Sequence, residues 1–313
     1  MEINLSRDWR EMAKTNIPVY SIKDEWTLYP IGDIHYENKG CDRVALRKTI
    51  RAIQENPRAL AIIMGDCFDG IPRDDKRFRP NISDFDTSRE SIWQDAVMAL
   101  ADELRPIRDK ILGVHMGNHE MTILTRYDVD LIKMLVDDLN NDLVSAQITG
   151  PLERRAWLHK LSHGNHPRAV RYYDYCAMTR LRFMYKKTET EKSSSNFVTI
   201  WSHHGSGGGN TEGAALNKLV QQPVNFVADV YISGHHHKTP STKTSLLYLD
   251  ETGRLREKKR VFVKAPSYLR SYEVGRSDYA ERSLHSPAYI GHSAVLIKPF
   301  NGKFSEVELN LLI

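Results

Sequence analysis

Five times along the chain an apolar run ends in a cluster of aspartate, asparagine or histidine. "WTLYPIGDIH" (26–35) reads as a buried strand running into a loop, and "ALAIIMGDCFDG" (59–70), "ILGVHMGNHE" (111–120), "NFVTIWSHHGSGGGN" (196–210) and "ADVYISGHHH" (228–237) repeat the arrangement. Between the first two, Val44, Leu46, Ile50 and Ile53 recur at helical spacing, with Pro57 closing the segment. Before the third, Ile92, Ala96, Leu100 and Leu104 form a second helical stripe, with Trp93 and Val97 beside it. Strand alternating with helix predicts an α/β fold. In open α/β sheets the carboxyl ends of the strands share one edge, so the five polar clusters are expected to converge on a single site. After residue 240 the helical pattern gives way to short apolar runs joined by "ETGR" and "NGK", a β-rich portion over 240–313 with antiparallel strands. Residues 70–87 and 140–196 follow neither period and are expected to be loop insertions, with "TETEKSSSN" (188–196) a flexible loop.

Composition narrows this picture without redirecting it. The 313 residues, 41% hydrophobic and 27% charged, suit one domain over 1–313. The longest apolar run, "ALAIIM", is too short to span a bilayer. The start, "MEINLSRDWREMAK", has no apolar core of a secretory signal, and three scattered cysteines form no disulfide framework, so a cytoplasmic protein is expected. A net charge of +4 admits an anionic substrate.

The strand-end residues supply the chemistry: Asp33 and His35, Asp66 and Asp69, Asn118 and His119, His203 and His204, then His235, His236 and His237. Carboxylate, amide oxygen and imidazole suit borderline divalent ions such as manganese, zinc and ferrous iron, and the absence of cysteine argues against a thiolate site. Two ions about 3.5–4 Å apart need roughly seven protein ligands with one bridging carboxylate, which this set supplies. His235 and His237, two apart, would project to one side of an extended backbone and reach different ions. His115 reads as a packed core residue, Glu120 as a fold-supporting carboxylate, and His163 and His166 of "SHGNHPR" as surface histidines.

"GDIH", "GDCFD", "GNHE", "SHH" and "GHHH", in this order over about residues 28–238, resemble the five motifs of the calcineurin-like metallophosphoesterase superfamily. The resemblance implies a central β-sandwich flanked by helices, with a dimetal site at the strand ends. It implies that Asp33, His35 and His237 bind one ion, that Asp66 bridges, and that Asn118, His203 and His235 complete the second site. His119 would be the proton donor to the leaving oxygen, oriented by Asp69, in hydrolysis by metal-bound hydroxide attack. Two divalent ions are expected, Mn2+ first, with Zn2+, Fe2+ or Mg2+ as alternatives. Alternation along a strand lets only one of His203 and His204 face the metals, and the motif favours His203, leaving His204 for substrate.

For the substrate, Gly70 stands where protein Ser/Thr phosphatases carry arginine, which weighs against that class. Arg73 and Arg77, in a basic stretch, and the arginines and tyrosines of "HPRAVRYYDY" (166–175) could neutralise phosphates and stack on unpaired bases. The expected reaction is phosphodiester hydrolysis in DNA, RNA or nucleotides, as in the phage-type and repair-type nucleases of the superfamily. A small-molecule phosphomonoesterase or cyclic-nucleotide phosphodiesterase is the alternative. A catalytically idle metal-stabilised binding module is a third, opposed by the presence of both Asp69 and His119.

Overall fold

The structure is a computed structural model that describes residues 13–72, 74–75, 83–85, 92–145, 148, 150–164, 166–185, 194–208, 211–272, 281, 286–300 and 308–312. In chain order the first elements are β1 (Ala13–Val19), β2 (Trp26–Ile31), α1 (Arg43–Glu55), β3 (Ala59–Ile63), α2 (Ile92–Leu104), β4 (Ile111–Val114), α3 (Asn118–Tyr127), α4 (Leu131–Leu139) and α5 (Pro151–His163). There follow β5 (Arg171–Tyr172), β6 (Cys176–Tyr185), β7 (Ser194–His203), α6 (Glu212–Val220), β8 (Val230–Ser233), β9 (Ser241–Leu249), β10 (Leu255–Lys264), β11 (Ala294–Lys298) and β12 (Glu308–Leu312).

The strands form two six-stranded sheets. The first runs β12-β11-β2-β3-β4-β5, with β2 through β5 parallel and β11 antiparallel to β2. The second runs β1-β6-β7-β8-β10-β9, with β7, β8 and β10 parallel and β9 returning antiparallel. Parallel neighbours require crossover connections, which helices supply from β2 through β5 and between β7 and β8. Leu28, Leu60, Ile62 and Leu112 of the first sheet meet Leu181, Val198, Ile200, Ile232 and Val263 of the second between the layers. On the far side of the first sheet, Tyr29, Ile31, Ile63 and Val114 pack on Leu46, Ile50, Ala96, Leu100 and Leu135 from the helices. Trp201, Tyr231 and Phe262 cover the outer face of the second sheet together with Leu219 of α6. This is the helix-flanked β-sandwich expected from the sequence. Because the central strands are covered on both faces, they read as continuous apolar runs.

Local signals explain the helix ends. Asp42 caps α1 by accepting from Ala45 N at 2.9 Å, and the helix stops ahead of Pro57. Its buried stripe is Leu46, Thr49, Ile50 and Ile53, whereas Val44 is 61% exposed. Two residues before Leu46, Val44 lies about 200° around the helix and faces water.

The 140–196 stretch is largely regular where loops were expected. It carries α5, β5, β6 and the first residues of β7, and Ser194–Asn196 pair with Phe183–Tyr185 as strand. The arginines and tyrosines of "HPRAVRYYDY" are mostly committed to packing. Arg171 is buried and donates to Lys14 O at 2.7 Å and to Thr15 Oγ1 at 3.1 Å. Tyr172 donates to Asp130 Oδ2 at 3.0 Å, and the buried Tyr173 ring lies on Gly113, where a Cβ would meet it at 2.6 Å. Only glycine fits that position without moving the ring. Of 70–87, only 70–72, 74–75 and 83–85 are described. No described helix is long and apolar enough to cross a membrane.

Candidate metal centre

The expected convergence occurs at one edge of the sandwich. The loops after β2 and β3 are stitched side by side, Asp33 N donating to Gly65 O at 3.1 Å and His35 N to Asp66 O at 3.0 Å. Glu120, fully buried, accepts from the backbone of Asp66 (3.2 Å), Phe68 (2.9 Å) and Gly117 (2.9 Å), tying the second loop to the start of α3. Losing this carboxylate would strand three buried N–H groups, at about 1–3 kcal/mol each. Gly117 is required by proximity, since a Cβ there would fall 2.1 Å from Asp66 Oδ1.

Among the described residues, three groups of donor atoms lie within 4.8 Å of one another: Asp33, His35 and His237; Asp66, His204 and His235; and His35, Asp69 and His119. Asn118 joins the second, its Oδ1 being 3.0 Å from His204 Nε2. Of the eight described non-glycine residues with positive φ, five are Asp33 (46°), His35 (48°), Asp66 (47°), His235 (73°) and His237 (51°). Left-handed backbone costs a non-glycine residue on the order of 1 kcal/mol or more, and it concentrates here because the loops must turn their donors inward. His235 and His237 do enter different groups, but from left-handed rather than extended backbone.

The donors fit a pair of divalent ions. His204 Nδ1 donates to Met64 O at 2.7 Å and His35 Nδ1 meets Asp69 Oδ1 at 3.2 Å, which fixes each ring and turns its Nε2 inward. The Nε2 atoms of His35 and His237 then face each other at 3.4 Å. Asp33 Oδ2 and His235 Nδ1 are buried with no hydrogen-bond partner. Buried polar atoms without partners are rare, and an ion would satisfy them.

Protons partly balance the carboxylates of the cluster. Burial pushes Asp33 up to about 6, opposed by the charge of His204. Burial would lower His35 and His204, yet the hydrogen bond and charge of Asp69 raise His35 to about 9, and Asp66 raises His204 to about 9. Against the same burial, the charges of His204 and His119 hold Asp66 well below the usual carboxylate range, and the hydrogen bond and charge of His35 do so for Asp69. Burial and the charge of His204 bring His235 down to about 4, and burial with the charge of His35 brings His237 well below the ordinary histidine value.

One sequence expectation is reversed. His204, fully buried, sits against Asp66 and Asn118, while His203 stacks on Trp201 with ring centroids 5.7 Å apart and accepts from Gly205 N at 2.8 Å. Along β7, Val198 and Ile200 face the sandwich and Trp201 faces α6, so alternation carries His203 outward and His204 inward. His119 and Asp69 lie together as expected: His119 Nδ1 is 2.5 Å from Asp69 O and 3.5 Å from its Oδ1. Asp69 also touches His35 and accepts from Asn38 Nδ2 at 2.8 Å. His115 is the core residue expected, bonded to Asp174 O and Ser202 Oγ, both at 2.8 Å, and burial lowers it to about 3. His163 and His166 are exposed, away from the three groups. Arg73 and Arg77 lie outside the described residues.

Sequence reasoning missed several supporting residues. Asn38 and Glu37, the latter accepting from Gly70 N at 2.7 Å, brace Asp69 from within the loop that carries His35, and that closeness in sequence was an available signal. Lys264 ends an ordinary strand and Ser267, 3.3 Å from His237 Nδ1, follows it, and no local pattern marks either.

A search of curated proteins found no match. Among solved structures, the chain is similar to a predicted phosphoesterase from Streptococcus pneumoniae TIGR4, at 12% identity over 92% of this chain and 90% of that one, with a TM-score of 0.33. It is similar to Vps29 of Chaetomium thermophilum, at 11% identity over 92% and 97%, with a TM-score of 0.33. It is similar also to GAP50 of Plasmodium, at 12% identity over 92% and 90%, with a TM-score of 0.40. The family model of the calcineurin-like phosphoesterases matches residues 28–239, the span that holds all five donor-bearing loops, and the chain belongs to that family.

Proposed function

We propose that the protein is a dimetal-dependent hydrolase of phosphodiester bonds in nucleic acid or nucleotides. In this reading Asp33, His35 and His237 would hold one ion, Asn118, His204 and His235 the other, and Asp66 would serve both. The observation that carries it is the pairing of two donor triads with a histidine, His119, that belongs to neither and is held by Asp69. When bound, the ions supply Lewis-acid stabilisation of phosphoryl charge and make water acidic enough to act as nucleophile near neutral pH.

The protein's own groups supply the rest. His119 Nδ1 faces a carbonyl oxygen, which can only accept, so its proton sits there and Nε2 is the nitrogen left for substrate. Protonated at both nitrogens, His119 can deliver the Nε2 proton to the leaving oxygen, with the Asp69 carboxylate 3.5 Å away stabilising the cation. A metal-stabilised binding module needs neither residue. A diester carries one negative charge where a monoester carries up to two. Gly70, in place of the arginine of the protein phosphatases, leaves fewer cations for a dianion and supports the diester.

The test is a matrix of Mn2+, Zn2+ and Mg2+ against bis(p-nitrophenyl) phosphate, p-nitrophenyl phosphate, cyclic nucleotides, RNA, and single- and double-stranded DNA. Diester turnover should exceed monoester turnover by about tenfold or more. Faster monoester turnover under every metal would replace this reading with the phosphomonoesterase. Steep loss of affinity with salt would mark a polymer substrate, and a shallow slope a nucleotide.

A further inference from the structure

His236, the middle histidine of the GHHH loop, belongs to neither ion triad. It borders a cavity of about 120 Å³ at the outer corner of the second sheet, walled also by Trp201, His203, Lys218, Gln222 and Lys264. Lys264 is 1% exposed, and its ammonium donates to Ser233 Oγ (2.6 Å), Gly234 O (2.9 Å) and His236 Nδ1 (3.0 Å). An ammonium has three protons, and here all three go to neutral acceptors. The ammonium can only donate, so the His236 Nδ1 it meets must accept, and the proton of the neutral ring sits on Nε2. That Nε2 is buried and has no hydrogen-bond partner.

The cavity is therefore bordered by a buried cation and by a histidine whose N–H is unspent and closed off from solvent in this side-chain position. Lys218 stands at its exposed mouth, Nζ donating to Ser206 O at 3.0 Å, and the stacked Trp201 and His203 rings form a flat wall. Charge and donors of this kind suit an oxyanion that accepts several hydrogen bonds at once. The ring of His236 is 5.2 Å from that of His235, which is 5.3 Å from that of His204, so the cavity wall stands one ring from the second triad.

We propose that this cavity is a phosphate subsite, which takes a second phosphate of a substrate whose scissile phosphate lies at the metal centre. The assignment rests on the phosphodiesterase reading above. It selects substrates with neighbouring phosphates, such as oligonucleotides or nucleoside bisphosphates, over simple diesters.

The test compares the p-nitrophenyl ester of thymidine 5′-phosphate with and without a 3′-phosphate, using the full metal-loaded chain, and titrates inorganic phosphate by calorimetry. The 3′-phosphate should lower KM by about tenfold in the wild type, and Lys218→Glu should cut that ratio to about twofold or less. Gln222→Glu, which also lines the cavity, should act in the same direction, and Lys218→Arg, which keeps the charge, should retain the wild-type ratio and so guards against a local effect of the first variant on α6. A ratio near one, with phosphate binding still weakened about tenfold by Lys218→Glu, would keep the anion site but overturn its assignment to substrate. A ratio near one with phosphate binding equal in the wild type, Lys218→Glu and Gln222→Glu overturns the proposal. Failure of the phosphodiesterase reading shows separately, as no turnover of either ester, while the phosphate titration still reports on the cavity.

Discussion

The two sheets contribute unequally to the donor cluster. Loops of the first sheet bring every carboxylate, Asp33, Asp66 and Asp69, together with His35, Asn118 and His119, while loops of the second bring only imidazoles, His204, His235 and His237. Each ion triad spans both sheets, Asp33 and His35 meeting His237, and Asp66 meeting His204 and His235. The group of His35, Asp69 and His119 lies wholly on loops of the first. Metal binding should therefore cross-link the sandwich, whereas proton delivery needs only one layer. The two should be separable by mutation.

The largest effect is expected from removing Asp66, the carboxylate proposed to bridge the ions. Asp66→Asn should lower kcat/KM on an aryl phosphodiester by about 10⁴-fold and reduce bound metal, read by elemental analysis. Near-normal turnover and metal content would remove Asp66 from the bridging position. His119→Asn acts within one layer, so it should keep both ions and slow turnover by about 10³-fold, most for poor leaving groups. If it empties a metal position, His119 is a ligand and the separation fails. His204→Ala should weaken metal binding by about 10²-fold, and His203→Ala, one residue away, should leave metal content in place. The opposite outcome would return the ligand role to His203.

The smallest effect concerns pH. Without metal, His35 and His204 titrate near 9, so ions compete with their protons at neutral pH. Metal affinity should rise between pH 7 and 9 by about tenfold per unit or more and level off above, with proton release visible as a buffer-dependent heat of binding. A flat profile would mean the donors are already neutral. The same two groups, raised above their unfolded value of about 6.5, stabilise the metal-free fold fully below that pH, and this stability is lost as pH rises through about 9. The Tm of metal-free protein should therefore fall from pH 7 to 9, and that of metal-loaded protein should hold. Parallel profiles would argue against a metal cross-link between the layers.

Much of this site was legible in the sequence because its donors sit where local pattern is strongest, at the abrupt polar ends of buried strands. Asp33, Asp66, Asn118 and His235 each follow an apolar run, and those strand ends together with the order of the motifs locate them without tertiary information. Lys264 offered no such signal, since it ends an apolar strand and its three acceptors lie at the end of β8 and in the loop that follows it. The same holds for "RYYDY", whose tyrosines and arginine give no local sign of the packing that takes them up. His203 and His204 show the limit most sharply. Alternation determined that one would point inward and the other away, but β7 is covered on both faces, by the opposite sheet and by α6, so neither side reads as polar. The sequence by itself determined which residues gather at the sheet edge. Only the packing of two layers on that strand decided which histidine meets the carboxylates and which lines the cavity beside them.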